Sequence, residues 1–222
     1  MGQQQSFRVR ETLLSQKPRE NSALIAFAGV LVILVVTLLC WKEGDTTYRL
    51  LAAAPERVFH GGEYWRLLTA MGVHADLKHF LSNAVLFFFF AYLLYGYFGG
   101  LVFPLLTLLL GSLVNYLSLM TYAEGIHLVG ASGLVYLMAG FWLTMYVLVE
   151  RRLALKKRLL RSVGVGLIVL MPAVLQPSVS YRTHAIGFFT GVTAGIICFW
   201  AGKRRIRAAE VITPDDSEEI VA

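Results

Sequence analysis

The chain has 222 residues, of which 57% are hydrophobic and only 15% charged, with a formal net charge of +6. A soluble domain carries about 25% charged residues, so this composition argues against a soluble globular protein and for a membrane protein. The positive balance comes without interleaved aromatic and basic residues or a nucleic-acid motif, so no nucleic-acid partner is expected.

Residues 1–21 are polar and are expected to form a flexible cytoplasmic segment. Residues 21–41 hold no Asp, Glu, Lys or Arg and match the roughly 20 apolar residues that a spanning helix needs. Cys40-Trp41-Lys42 offers no small-residue cleavage site, so this first span is expected to be retained. The long loop at 42–78 mixes acids with bases. Within it, 50–54 and 65–71 are apolar enough to lie on the membrane surface as short helices.

Residues 79–123 are again free of charge, a stretch too long for one helix. It divides at Gly96-Tyr97-Phe98-Gly99-Gly100 into spans at 79–97 and 101–120. Three further uncharged stretches give spans at 132–149, 162–175 and 184–202. Pro172 is expected to kink or shorten the fifth, because it deletes a backbone donor. The expected fold is therefore an all-α membrane protein, a six-transmembrane-helix bundle over residues 22–202. The remainder, 203–222, is expected to be a disordered, acidic cytoplasmic tail.

Charge orients the bundle. Fourteen Lys and Arg fall in the N-terminal segment, the connection at 150–161 and the tail, against six on the other side. By the positive-inside rule both termini lie in the cytoplasm, and the expected location is the plasma (inner) membrane. Cys40 and Cys198 then fall toward opposite leaflets, too far apart for the roughly 7 Å limit of a disulfide.

Polar residues inside spans are costly and usually functional. Three groups qualify: His79-x-x-x-Asn83, Gly130-Ala131-Ser132-Gly133 with Tyr136, and His184-x-x-Gly187-x-x-x-Gly191. Each has an ordinary reading alone, since a histidine can be interfacial and small residues at four-residue spacing let helices approach closely. Topology brings them together. Spans two, four and six run in the same direction, so His79, Ser132 and His184 share one depth toward the outer surface.

Ser132 at a helix start leaves its own N–H free for developing negative charge. His79 and Asn83 share a helix face, and both can donate to an oxyanion. Tyr136, one turn after Ser132, is placed to stack on or orient an imidazole. Gly187 and Gly191 would let span six press on span four and bring His184 to Ser132. A serine needs a neighbouring base to become a nucleophile, and His184 is the candidate. No carboxylate lies in these spans, so the expected machinery is a Ser–His dyad.

Together with Tyr64-Trp65-Arg66-Leu67 and His74-x-x-x-x-His79, these motifs resemble the rhomboid family of intramembrane serine proteases in order and on the matching spans. The resemblance implies hydrolysis of transmembrane protein substrates near the outer end of their spans, within the lipid bilayer and without cofactor or metal. It assigns Ser132 as nucleophile and His184 as general base. It assigns His79, Asn83 and the Ser132 amide to the oxyanion hole, with His74 in a supporting position and Trp65-Arg66 as structural. Gly130, Gly133, Tyr136, Gly187 and Gly191 support the site. Two rivals remain: a catalytically inactive rhomboid-like protein that binds membrane-protein clients, and a metal or haem protein using His74, His79, His127 and His184.

Overall fold

A computed structural model describes residues 7–174 and 180–214. Strand β1 (Phe7–Glu11) opens it, and after a short 3₁₀ turn helix α1 (Ser22–Glu43) follows, ended by Gly44 at φ +72°. The loop at 42–78 holds two short α-helices, α2 (Asp45–Leu51) and α3 (Arg66–Thr69), with a π-helical turn at Glu56–His60 between them and a 3₁₀ turn at Ala70–Gly72 extending α3. The second surface helix thus forms where it was expected. The first is displaced. The chain leaves α2 at Ala52 in an extended conformation, and Ala53 pairs with Leu128 across the loop before Ser132.

Arg66 explains that displacement. Its guanidinium is 4% exposed and donates to the carbonyls of Arg49, Leu50 and Ala52 as well as to Glu63. Collecting the spare carbonyls at the end of α2 halts the helix and holds the following alanines extended against the core.

Helix α4 (Leu77–Phe98) starts at Asp76, whose carboxylate caps the His79 N–H at 2.7 Å, and ends at Gly99 with φ +80°. The expected third span is broken once. A first segment at Leu101–Leu106 leaves helical geometry at Phe103, before Pro104, and α5 (Thr107–Leu119) completes it. Helices α6 (Ser132–Val149), α7 (Leu155–Val174) and α8 (Tyr181–Ala208) follow. Helix α7 continues past Pro172 instead of stopping there.

Among the described residues, five stretches are long and apolar enough to cross a membrane: α1, α4, 101–119, α6 and α8. Helix α7 begins with Lys156, Lys157, Arg158 and Arg161, which keep its described part outside that group. Helix α6 lies at the centre, with two-thirds of its span buried against less than a quarter for α1. Its Leu134, Leu137, Met138, Phe141 and Met145 fill the main core with Phe87, Phe90 and Leu94 of α4.

The two ends expected to lack structure differ from that expectation. Residues 203–208 continue α8, and β2 (Val211–Pro214) pairs antiparallel with β1, Arg8 opposite Thr213 and Val9 opposite Ile212. Alternating Phe7-Arg8-Val9-Arg10 and β-branched Val211-Ile212-Thr213 are strand-forming patterns that make the pairing intelligible. The acidic residues 215–222 lie outside the described residues. Cys40 and Cys198 are both free.

Candidate active site

Three elements meet around Ser132. It is the first residue of α6 and only partly buried. The preceding Gly130 has φ +105°, a left-handed conformation that only glycine adopts without strain. Space imposes a second restriction there. A Cβ on Gly130 would lie 2.7 Å from His79 Nε2 and 3.6 Å from Asn83 Nδ2. The two side chains one turn apart on α4 therefore face the backbone that leads into Ser132. Asn83 is buried, and its Nδ2 has no hydrogen-bond partner among the described residues. A buried amide left unsatisfied costs about 1–3 kcal/mol, which marks it as a donor held ready for something else.

His184 reaches the site from α8. It stacks on Tyr136, with ring centroids 4.0 Å apart and planes 11° from parallel. Tyr136 is itself fixed, since its hydroxyl donates to the Val169 carbonyl of α7 at 3.1 Å. Both ring nitrogens of His184 are buried and have no partner among the described residues. The Ser132 hydroxyl makes no hydrogen bond among those residues either. The imidazole thus packs on the side chain one turn along α6 from Ser132, and no hydrogen bond joins it to the serine among the described residues.

Backbone contact brings α8 this close. A Cβ on Gly187 would overlap the Gly133 carbonyl oxygen, and one on Gly191 would overlap that of Leu137. Gly133 in turn accommodates the Thr183 methyl, which a Cβ would meet at 2.8 Å. Gly140, not singled out in the sequence, does the same from the α6 side, where a Cβ would strike the Phe188 carbonyl.

Residues 61–201 match the description of the Rhomboid domain. The chain is also 25% identical over 169 residues to the "Putative rhomboid protease YdcA" of Bacillus subtilis (strain 168), covering 76% of this chain and 81% of that protein. The chain belongs to the rhomboid family. It is an integral membrane protein of a protease family, and its apolar helices fit the all-α membrane fold of that family.

Within this rhomboid domain, His74 has a role that its spacing alone did not reveal. It is wholly buried, and its Nε2 accepts the Ala131 N–H at 3.4 Å. Its Nδ1 lies 3.1 Å from Thr37 Oγ1, and Thr37 donates to the Gly72 carbonyl at 2.9 Å. Thr37 spends its one proton on Gly72, so Nδ1 must carry the proton and donate. The relay therefore has one direction: Ala131 N–H to His74, His74 to Thr37, Thr37 to Gly72. Burial, with the His79 ring beside it, pushes the His74 imidazole down from 6.5 to about 4, which keeps it neutral. Trp41 Nε1 completes the arm by donating to the His74 carbonyl at 2.8 Å.

Thr37 and Trp41 lie on α1, inside and at the end of an apolar run, and nothing local distinguishes them. At the start of α8, Tyr122, Ser180 and Thr183 share their hydroxyls just before His184. The metal rival required four histidines to converge. His127 instead lies against Tyr48, ring centroids 6.2 Å apart, and no group of three or more His, Cys, Asp or Glu arranged to hold a metal occurs among the described residues.

Proposed function

We propose that this protein is an intramembrane serine endopeptidase that hydrolyses a peptide bond in or near a transmembrane segment of membrane-protein substrates. The single observation that carries this reading is the His184 imidazole, buried and unspent, stacked on Tyr136 one turn beyond Ser132. Ser132 Oγ attacks the scissile carbonyl while His184 accepts its proton. The oxyanion that forms is held by the Ser132 N–H and by the side chains of His79 and Asn83. His184 then gives the proton to the leaving amine, and an acyl group remains on Ser132. Water, deprotonated by His184, releases the acid and restores the serine.

The family supports a protease that acts within the bilayer. The same reading has six spans, α7 being the fifth, with both termini in the cytoplasm and the site toward the outer surface of the plasma membrane. The segregation of Lys and Arg supports that orientation.

The test is purified full-length protein incubated with a panel of single-span membrane proteins, beside Ser132→Ala. Cleavage of one or more of them by the wild type alone is the expected outcome. Stable binding of those proteins without cleavage would favour the client-binding rhomboid-like reading.

A further inference from the structure

At the opposite end of the bundle from Ser132 lies a cavity of about 590 Å³. Helix α6 carries Ser132 at one end and Glu150 just past the other. At 1.5 Å per residue the two ends are about 27 Å apart, close to the thickness of a hydrocarbon core. The cavity is lined from four directions: Arg8 and Arg10 of β1, Tyr97 of α4, Trp142 and Tyr146 of α6, and Arg161 of α7, with Arg152 from the loop between α6 and α7.

Its charges are unevenly satisfied. Arg152 is paired with Glu150 through two hydrogen bonds of 2.7 and 2.8 Å. Arg10 donates to Thr213 Oγ1 at 3.2 Å. Arg8 and Arg161 are exposed, and neither guanidinium has a hydrogen bond or ion pair among the described residues. Glu150 is the one acid in the lining, and nearby Glu210 is already engaged by Arg151 and Arg207. Glu11 follows on β1 but does not line the cavity. The floor is aromatic, with Tyr97 and Trp142 in ring contact at 5.6 Å, and Leu14 and Leu153 add apolar surface.

We propose that this cavity binds the phosphate of an anionic phospholipid headgroup. Two unpaired guanidinium forks match phosphate oxygens in pairs. Trp and Tyr prefer the headgroup level of a membrane, where one end of the ring is apolar and the other wet. The β1–β2 pairing carries Arg8 to the same rim as Arg161, so the terminal strands assemble half of the site. A lipid seated there ties β1 to α7 and to the inner ends of α4 and α6, and stabilises the bundle from the side away from the chemistry.

Native mass spectrometry of the full chain in neutral detergent, titrated separately with phosphatidylglycerol, phosphatidylcholine and inorganic phosphate, tests this. Phosphatidylglycerol is expected to bind more tightly than phosphatidylcholine. The gap should shrink by about fivefold in Arg8→Gln or Arg161→Gln and by about 25-fold in the double variant. Arg204→Gln, which removes an exposed charge outside the cavity lining, should leave the gap unchanged. Equal loss in Arg204→Gln, or no loss in the double variant, overturns the site. Inorganic phosphate that competes at its own millimolar affinity while the lipid gains nothing from its acyl chains overturns the lipid source. A chain ending at Pro214 that binds phosphatidylglycerol when the full chain does not would assign the cavity to the acidic residues 215–222 instead.

Discussion

Beyond the hydroxyl cluster at the start of α8, the contact between α8 and α6 is made by bare backbone. Gly187 and Gly191 lie against the Gly133 and Leu137 carbonyls, and the ring nitrogens of His184 have no hydrogen-bond partner among the described residues. On the α1 and α4 side, position is set by hydrogen bonds, from Ala131 through His74 and Thr37 to Gly72, with Trp41 behind. The difference tells which group must stay chemically free. A base needs a ring nitrogen free to take the proton, and for the proposed base His184 ring stacking on Tyr136 supplies orientation without engaging either nitrogen. The turn that leads into Ser132, the proposed nucleophile, has no such restriction and is held by directional bonds.

The seam should therefore be the harder of the two to repair. Gly191→Val forces a side chain into the Leu137 carbonyl, and helices that touch through backbone cannot yield locally. Activity is expected to disappear together with a clear fall in melting temperature. A Gly191→Val protein as stable and active as wild type would break the comparison on this side.

The proposed oxyanion donors come next. Asn83→Ala and His79→Ala leave the seam and the relay's hydrogen bonds in place, so each is expected to lower kcat by about 10²–10³ with little change in KM. Melting temperature should hold or rise for Asn83→Ala, since a buried, unpartnered amide is removed. Near-normal kcat with a large loss of stability would make these residues packing residues.

The relay should give the smallest and most graded effect. Thr37→Val keeps the shape but leaves the His74 Nδ1–H and the Gly72 carbonyl unpaired, at a cost of about 1–3 kcal/mol. Stability is expected to fall while Ser132 stays reactive. The sign of the pH dependence follows from His74. Its folded-state value lies near 4, below the ordinary 6.5, so the unfolded chain binds the proton more readily. The contribution is complete above about 6.5 and is lost as pH falls toward 4. The slope of stability against pH in that window should be shallower in His74→Gln than in wild type.

How much of this could be read in advance follows the same division. Ser132, His184, His79 and Asn83 could be singled out as candidates because each is a costly polar group in an apolar span, and because the expected span direction gave them one depth. Gly187 and Gly191 were legible from their spacing. Gly140 was hidden because no glycine lies four residues to either side of it, where Tyr136 and Thr144 stand. Thr37 was hidden because a threonine in an apolar run looks like any other, and its partners lie 35 and 37 residues on. The extended Ala52–Ala54 segment was set by the distant Arg66 and Leu128 rather than by its own apolar composition. The β1–β2 pairing left a local trace in the alternation at residues 7–10, but joining strands about 200 residues apart required the fold.

Under the proposed mechanism Ser132 is a nucleophile activated by His184 across the α6–α8 seam. The most direct measurement is the rate at which a fluorophosphonate probe modifies the intact folded protein, located by peptide mass spectrometry, in wild type, His184→Ala and Ser132→Ala. Modification is expected at Ser132, with none in Ser132→Ala and a fall of at least about 10³-fold in His184→Ala at unchanged melting temperature. Equal rates in wild type and His184→Ala, or modification that persists without Ser132, would contradict it.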